Sequence, residues 1–346
     1  MIFSNVLMKK KQLPIFIIAE AGVNHNGSLQ TAKKLIDEAK GAGADAVKFQ
    51  SFKAEKLASK SAEMASYQKN NSGKQESQLT MLKRLELSRE AHLDLMRHAK
   101  KRRIAFISSP FDEESADLLE EMEVSMYKIP SGEITNLAYI FHVARKGKPL
   151  IISTGMANLE EIREVVETCY AAGNKNITLL HCVTEYPAPY NEINLSAMGT
   201  MWKVFRLPVG YSDHTEGIEI AIAAAAMGAA VIEKHFTISR DMPGPDHAAS
   251  IEPNELREMI SAIRHVELAR GDGKKIPAPC EKKNIAVARK SVVANRLIKK
   301  GHAILSEDIS IKRPGNGIPP KQIAQVVGKR AKKTIKEGPI LWNMIR

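Results

Sequence analysis

The stretch PVGYSDHTEGIEIAIAAAAMGAAVIEKH, residues 208–235, holds two short apolar segments on either side of a longer alanine-rich one. The outer segments, residues 208–211 and 229–235, contain Val, Ile and Tyr, which are typical of buried strands. Residues 216–228 between them predict a helix. Since an antiparallel pair would need only a short turn, a helix between two strands indicates a parallel strand–helix–strand unit.

The same alternation of strand and helix repeats over the first 270 residues or so. Strands are predicted at 14–20, 45–50, 104–108, 124–129, 149–153, 177–182, 208–211 and 229–235. Eight strands with helices between them in this length are typical of a (β/α)₈ TIM barrel. An open doubly wound sheet usually begins with a GxGxxG turn, whereas AGVNHNG follows the first strand here. We therefore expect a TIM barrel over residues 1–275.

The net charge of +12 comes entirely from the end of the chain. Residues 281–346 hold sixteen Lys and Arg against four Asp and Glu. A Gly- and Pro-rich stretch precedes them, and short strand-like segments with glycines between them follow. We expect a linker at 276–285 and a small β-rich domain at 286–346. The basic segment has a single aromatic residue, Trp342, so base stacking and nucleic-acid binding are not expected.

Composition excludes several other classes of protein. The three cysteines form no CxxC pair, which favours a reducing cytoplasm over a disulfide scaffold. The longest apolar run, 220–232, has thirteen residues and is too short to span a bilayer, which needs about 20. No charged segment followed by an apolar one is visible at the N-terminus, so no signal peptide is expected. We expect a cytoplasmic protein without membrane association.

Polar residues cluster where the predicted strands end. Function in TIM barrels lies at the carboxyl ends of the strands, so these side chains are expected to meet at one rim. They are Glu20, Lys48, Gln50, Ser109, Lys128, Ser131, Glu133, Ser153, Ser212, His214, Glu233 and His235. Polar groups are costly in a core, and their concentration at one rim therefore predicts a site.

Two subsets of this rim indicate different ligands. Lys48 and Lys128, with the serines, suit a phosphorylated carboxylate, because lysine neutralises charge and hydroxyls donate hydrogen bonds to oxygens. The alternative is that each lysine pairs with a carboxylate or reaches solvent. His214 and His235 end neighbouring strands and are candidate ligands of a divalent transition metal. The alternative is one acid/base histidine and one bystander.

Three carboxylates and one arginine complete the candidate set. Glu20, Glu133 and Asp246 are candidate acid/base groups or partners of sugar hydroxyls, with a structural hydrogen-bond role as the alternative. The segment KRPGNG, residues 312–317, predicts an exposed turn that presents Arg313. This turn suits a domain that closes over an anionic barrel site, or else a solvated basic surface. Residues 51–87 form a long polar connection, expected to be a lid or partner surface.

These motifs resemble the sialic acid synthase family, most of all bacterial-type N-acetylneuraminate synthases and next legionaminate synthases. The matching segments are EAGVNHNG (20–27), VKFQ (47–50), KIPSGE (128–133), ISTGM (152–156), TEYPAP (184–189), GYSDH (210–214), IEKHF (232–236), GPDH (244–247) and KRPGNG (312–317). They occur in order over nearly the whole chain. The resemblance implies a TIM barrel followed by an antifreeze-like (SAF) domain, in a domain-swapped homodimer whose small domains cap the partner's barrel.

The resemblance also implies a reaction. Phosphoenolpyruvate would condense with N-acetylmannosamine and water to give N-acetylneuraminate and phosphate. A 2,4-diacetamido hexose, giving N,N'-diacetyllegionaminate, is the alternative acceptor, and a phosphosugar is a third. A protein of a different class, which binds sugar or ice without catalysis, would not need the polar rim.

Roles for individual residues follow from the same resemblance. Phosphoenolpyruvate would be held by Lys48, Ser109, Lys128, Ser131, Ser153 and Ser212. The residues that bind the sugar would be Gln50, Glu133, Tyr186, Asp246 and the partner subunit's Arg313. His214 and His235 would hold Mn²⁺, with Mg²⁺ or Co²⁺ as alternatives, and Glu20 would position or deprotonate water. Thr184 occupies a position that varies in the family, which leaves the exact acceptor open.

Overall fold

The computed structural model of the chain describes residues 14–72 and 76–346. These residues form two compact units that meet in sequence at Gly273 and Lys274. The predicted absence of a signal peptide and the predicted start of the barrel domain concern residues 1–13, which lie outside the described residues. No helix in the described part of the chain is long and apolar enough to cross a membrane.

The first unit is built on eight parallel strands. They are β1 (Phe16–Gly22), β2 (Ala46–Ser51), β3 (Ala105–Pro110), β4 (Tyr127–Ile129), β5 (Leu150–Ser153), β6 (Ile177–His181), β7 (Val209–Asp213) and β8 (Val231–His235). Hydrogen bonding joins them in the order β3-β2-β1-β8-β7-β6-β5-β4. Strands β3 and β4 also lie next to each other, so the sheet nearly closes on itself. The predicted TIM barrel is confirmed.

Helices follow the strands. They are α1 (Leu29–Ala42), α2 (Ala54–Leu57), α3 (Ser66–Ser72), α4 (Gln78–Leu85), α5 (Arg89–Arg102), α6 (Glu113–Glu121), α7 (Leu137–Arg145), α8 (Leu159–Ala171), α9 (Ser196–Phe205), α10 (Glu219–Ala226) and α11 (Pro253–Arg270). Side-chain caps fix several of their starts. Ser28 accepts a hydrogen bond from the Thr31 amide, and Asp112 accepts one from the Ser115 amide.

Alternation along the strands separates two layers of side chains. An apolar layer inside the barrel consists of Ile18, Ala46, Ile107, Ile151, Leu180 and Val231. Because side chains two positions apart in a strand point the same way, the next inward layer is Glu20, Lys48, Ser109, Ser153, Cys182 and Glu233. The intervening residues pack outward against the helices in the main core. The barrel therefore has an apolar base and a polar layer directly above it.

The connection between β2 and β3 differs from the predicted polar loop. Its described residues include helices α2, α3 and α4, and residues 73–75 lie outside the described part. Buried residues of the connection pack against Val23 and Phe52 to form a separate small core: Ala54, Ala58, Met64, Met81, Leu82 and Leu85. The sequence of this connection appears polar because polar residues separate its apolar ones. The apolar residues form one face only when they are arranged on helices.

The second unit is small and contains antiparallel strands. Helix α12 (Lys282–Ala288) precedes β9 (Ser291–Ala294), β10 (Ile309–Lys312) and β11 (Gly338–Pro339), which hydrogen-bond in the order β10-β9-β11. Its own core consists of Val292, Ala294, Ile298, Ile304, Ile309, Ile318, Val326, Ala331, Ile335, Ile340 and Ile345. The residues of the predicted linker, 276–285, include the start of α12.

Candidate active site

A cavity of about 480 Å³ lies at the carboxyl ends of the barrel strands. Most of the predicted site residues line it: Glu20, Lys48, Gln50, Ser109, Lys128, Ser131, Ser153, Tyr186, Ser212, His214, His235 and Asp246. Thr184 lines it as well. Side chains from β1 to β8 and the loops that follow them thus converge on one space.

Two predicted site residues are not among those that line this cavity. Glu133 accepts a hydrogen bond from Asn136 Nδ2 at 2.9 Å, and burial raises the pKa of its carboxyl group. Arg313 belongs to the second unit, where its Nε donates to the carbonyl oxygen of Ala288 at 3.0 Å. The predicted sugar contacts of both residues stay predictions.

The cavity floor is a cluster of alternating charges. Lys48 Nζ contacts Glu20 Oε2, lies 3.0 Å from Glu233 Oε2 and donates to Ser109 Oγ at 3.2 Å. Lys128 Nζ lies 3.6 Å from Glu233 Oε1. Each lysine therefore has a carboxylate partner, yet both ammonium groups line the cavity. An entering anion would meet cations that are already desolvated and held in place, which favours its binding.

Burial controls the protonation of this cluster. It lowers the pKa of Lys48 to about 7, although the attraction of Glu233 offsets part of the effect. Burial by itself would raise the pKa of Glu233, but the positive charges of Lys128 and Lys48 outweigh it and hold that pKa below its ordinary value. Glu233 is thus the anion that keeps two buried lysines together.

Glu233 received no role in the sequence analysis, although it lies at the centre of the floor. Its Oε1 also accepts a hydrogen bond from Ser212 Oγ at 3.0 Å. Strand alternation was the available indication, since Glu233 lies two residues before His235 and therefore on the same face of β8. Its partners come from β2, β4 and β7, so their convergence depends on the closed sheet.

Several buried polar atoms of the floor have no hydrogen-bond partner among the described residues. They are Glu20 Oε1, Ser153 Oγ and His235 Nδ1, whereas Glu20 Oε2 and Glu233 Oε2 each have an ion-pair contact with Lys48 Nζ. Buried polar atoms are normally paired, because an unpaired one loses its bond to water without replacement. Their concentration on one surface indicates a site whose ligand completes the hydrogen bonds.

His214 and His235 form a pair of neutral imidazoles. Their ring centroids lie 5.6 Å apart. The Nδ1 of His214 donates to the carbonyl oxygen of Val183 at 2.6 Å, which leaves Nε2 unprotonated. Burial lowers the pKa of His214 to about 4 and that of His235 well below 6.5. Both rings are therefore uncharged at neutral pH, which is the form that binds a metal.

This pair fits a divalent transition metal that takes its remaining ligands from elsewhere. Nε2 of His214 is fixed by the bond on the opposite side of its ring, and Nδ1 of His235 has no partner among the described residues. The described chain has no group of three or more His, Cys, Asp or Glu side chains that could hold a metal. Two imidazoles, with oxygen atoms of water or substrate, remain as the ligand set.

A stack of aromatic rings forms one side of the cavity. Tyr186 lies 4.2 Å from His214 and 4.9 Å from Tyr67, measured between ring centroids. The Tyr186 hydroxyl donates to His214 Nε2 at 3.2 Å. Tyr67 belongs to α3 and was missed in the sequence, since the contact joins residues far apart in the chain. The stack offers flat, uncharged surface beside the histidine pair.

Asp246 lies on a loop that is tied down from three directions. Ser250 Oγ donates to the Asp246 carbonyl oxygen at 2.7 Å, and Asn24 Nδ2 donates to Ser250 Oγ at 3.0 Å. Asn71 of α3 donates to the Pro245 carbonyl oxygen at 2.8 Å. Burial raises the pKa of the Asp246 carboxyl group to about 6. When ionised, this desolvated carboxylate is therefore a strong hydrogen-bond acceptor.

A side chain at Gly155, in the ISTGM segment, would clash with its neighbours. A Cβ at Gly155 would lie 2.3 Å from Thr184 Oγ1 and 2.9 Å from Ser131 Oγ. Without it, the Gly155 amide approaches Ser131 closely enough to donate to Oγ at 2.9 Å. This bond holds the Ser131 hydroxyl at the cavity wall.

Comparisons with known proteins place the chain among sugar-acid synthases. The NeuB family profile matches residues 35–275, and the SAF domain profile matches residues 289–346. The N,N'-diacetyllegionaminic acid synthase of Campylobacter jejuni is 53% identical over 94% of this chain and 98% of its own length. The enzyme of the same name from Legionella pneumophila is 48% identical over 95% of this chain and 94% of its own.

A solved structure agrees with these relatives. The crystal structure of the N-acetylneuraminic acid (sialic acid) synthetase from Leptospira borgpetersenii, in complex with citrate, has a TM-score of 0.71. It is 36% identical and covers 79% of this chain and 90% of that one.

Proposed function

The chain belongs to the NeuB family, and we propose that it condenses phosphoenolpyruvate with a 2,4-diacetamido hexose to form N,N'-diacetyllegionaminate and phosphate. The resemblance to the sialic acid synthase family is confirmed. The family uses phosphoenolpyruvate and acetylated sugars, and the chain is an enzyme of this kind. We choose the diacetamido sugar over N-acetylmannosamine because the relatives at 53% and 48% identity are both N,N'-diacetyllegionaminic acid synthases.

The charged floor supports the assignment of the phosphoenolpyruvate end. Lys128 and the protonated form of Lys48 supply buried positive charge, and Ser153 Oγ has no partner among the described residues. Phosphate and carboxylate oxygens would take the bonds that these groups offer. Ser109, Ser131 and Ser212 add hydroxyls around the same space.

The histidine pair supports a metal-assisted reaction. NeuB-family synthases depend on a metal in general. His214 and His235 would hold the ion, for which we propose Mn²⁺. When bound, it would supply Lewis-acid polarisation of the aldehyde oxygen of the open-chain sugar.

The bond changes follow from the two substrates. C3 of phosphoenolpyruvate attacks the aldehyde carbon, and positive charge develops at C2. Water adds at C2, and the C2–O bond to phosphate then breaks to leave a ketone. One proton of the water ends on the new hydroxyl and the other on the released phosphate. Glu20, buried beside Lys48, would stabilise the charge at C2 and accept a proton from the water.

An acceptor panel tests this proposal. Purified protein with Mn²⁺ and phosphoenolpyruvate is given a 2,4-diacetamido hexose, N-acetylmannosamine or its 6-phosphate, and phosphate release is followed. We expect the highest kcat/KM with the diacetamido sugar, and a product mass equal to N,N'-diacetyllegionaminate. Release only with N-acetylmannosamine would restore the other predicted acceptor, and no release with any sugar would reject the proposal.

Acceptor binding is expected to depend on the ionisation of Asp246. Burial raises its pKa to about 6, so the carboxylate gains a proton as the pH falls below 6, and one of its two oxygens then becomes a donor and the other a weaker acceptor for sugar hydroxyls. We therefore expect KM for the acceptor to rise about tenfold from pH 7 to pH 5 at saturating phosphoenolpyruvate. Asp246→Asn should have a raised KM without this pH dependence, and an unchanged profile would contradict the role of Asp246.

We also propose that the partner subunit's Arg313 contacts the acceptor in a domain-swapped homodimer. The Arg313 side chain stands on an exposed turn of the basic unit, and a guanidinium group can donate to an acetamido carbonyl. Arg313→Ala should raise KM for the sugar by about 10- to 100-fold, because a hydrogen bond to a charged group contributes about 1.5–3 kcal/mol. KM for phosphoenolpyruvate should stay near that of the unaltered protein.

Subunit exchange tests the swapped arrangement. An Arg313→Ala chain is mixed with a Glu20→Ala chain, each impaired alone. If the arginine acts across the dimer, one site of each mixed dimer has both changes and the other has neither, so each mixed dimer regains about half of the activity of an unaltered dimer. No recovery, with exchange verified by native mass spectrometry, would show that each arginine serves its own barrel.

A further inference from the structure

One part of the cavity surface is apolar and comes from the connection between β2 and β3. Leu57 of α2 and Met81, Leu82 and Leu85 of α4 line the cavity there. We refer to these four side chains as the apolar wall. Among the described residues of the connection, all those that line the cavity are uncharged. The charged side chains belong to the barrel floor and its loops, so the cavity is charged on one side and apolar on another.

The apolar wall is held rigidly from behind. Met81, Leu82 and Leu85 are 2%, 7% and 6% exposed and pack in the small core of the connection. Glu86 fixes the two helices relative to each other, because its carboxylate accepts from the Ala54 amide at 3.0 Å and from Lys53 Nζ at 2.9 Å. A second ion pair joins Glu55 and Lys83 at 2.6 Å. A wall fixed in this way is preorganised for a ligand.

The chemistry of the two substrates decides which group faces the wall. Phosphoenolpyruvate is anionic, and its oxygens would bind the lysines and serines of the floor. In the proposed reaction the aldehyde oxygen of the sugar would face the histidine pair, His214 and His235, so the substituent on the neighbouring carbon 2 would lie beside these rings. Carbon 4 is three bonds from the aldehyde carbon, so a substituent on it would reach further from the histidine pair than the substituent on carbon 2.

On this basis, and resting on the proposed function, we infer that the apolar wall binds the methyl group of the acetamido substituent at carbon 4. The diacetamido acceptor has this group and N-acetylmannosamine lacks it. Moving a methyl group from water onto an apolar surface is favourable. A single methyl or methylene changes kcat/KM by about 10-fold or more in a fitted apolar pocket. The wall is thereby a specificity determinant of the acceptor site.

A matched pair of acceptors isolates this methyl group. One is the 2,4-diacetamido hexose, and the other has a formamido group in place of the acetamido group at carbon 4. We expect the unaltered protein to prefer the acetamido sugar about tenfold in kcat/KM. In Met81→Ala and in Leu57→Ala, the preference should fall to about threefold or less.

Met64→Ala is the control variant. Met64 belongs to the same small core and is 3% exposed, but it does not line the cavity. Its replacement should lower the thermal unfolding midpoint as Met81→Ala does, while the tenfold preference remains. Leu57 is only partly buried, so Leu57→Ala decides the matter if Met81→Ala fails to fold.

The outcomes separate the inference from the proposed function. Equal use of both sugars by the unaltered protein, or an unchanged preference in Leu57→Ala, would overturn the role of the apolar wall and leave the reaction intact. Equal loss of preference in Met64→Ala would also overturn it, since the effect would then come from the small core. Failure to use either sugar would reject the proposed acceptor itself.

Discussion

Replacement of either His214 or His235 by alanine is expected to lower kcat by about 10³-fold and to weaken Mn²⁺ binding. The two ring centroids lie 5.6 Å apart, His214 is buried and His235 is half-buried, and burial lowers the pKa of both imidazoles. Nδ1 of His235 has no partner among the described residues, and Nε2 of His214 accepts from the Tyr186 hydroxyl, which a metal would displace. Lewis-acid catalysis contributes several kcal/mol, and about 4 kcal/mol corresponds to the expected loss in rate. Metal binding is measured by titration of the apoprotein, which gives a result independent of turnover.

His181→Ala serves as the matched control for these variants. His181 also ends a barrel strand, but its Nε2 donates to the Ile193 carbonyl oxygen at 2.7 Å and it does not line the cavity. Its replacement should leave Mn²⁺ affinity unchanged. A His235→Ala protein that keeps its rate after treatment with a chelator would show that the histidine pair has another role.

Lys128→Met is expected to raise KM for phosphoenolpyruvate by about 10²-fold and to leave KM for the acceptor nearly unchanged. The substitution keeps the length of the side chain but removes one of the two cations of the floor. A bond between charged groups contributes about 1.5–3 kcal/mol, which corresponds to 10- to 100-fold. The sugar is neutral, so it gains nothing comparable from this ammonium group.

Removal of the Lys128 ammonium group also leaves Glu233 with one cation fewer. The control variant must therefore remove the charge of another buried lysine that is paired with a carboxylate. Lys234 is as deeply buried as Lys128, but its Nζ binds Asp213 Oδ2 at 2.7 Å and it does not line the cavity. Lys234→Met should therefore lower the unfolding midpoint without a selective effect on phosphoenolpyruvate. Equal changes in both KM values in Lys128→Met would count against its assignment.

Local features of the chain were predicted well because their causes are local. Helix α1 begins after Ser28, whose side chain caps the Thr31 amide three residues later. Helix α10, predicted at residues 216–228, spans Glu219–Ala226. Strand β4 is shorter than predicted, since only Tyr127–Ile129 pairs with a neighbour. A helix start depends on a few residues in sequence, whereas the length of a strand depends on its partner.

The candidate site also has features that were predicted and features that depend on contacts between strands. Polar strand ends were visible in the sequence, and the structure brings most of them to one cavity. The pairing of Glu20 with Lys48 follows from the register of β1 and β2, which places them opposite each other. The partners of Lys48 and Lys128 do not follow from the sequence, because an isolated lysine can pair with a carboxylate or reach solvent.

The alternation of strands and helices, the basic second unit and the family can all be predicted from the sequence. Each of these depends on short-range periodicity, on composition or on motifs that can be compared directly. Three contacts could not be predicted in this way: Glu233 joins two lysines, Tyr67 packs against Tyr186, and α2 and α4 present an apolar wall. These contacts join residues far apart in the chain, and closure of the barrel together with burial brings them within bonding distance.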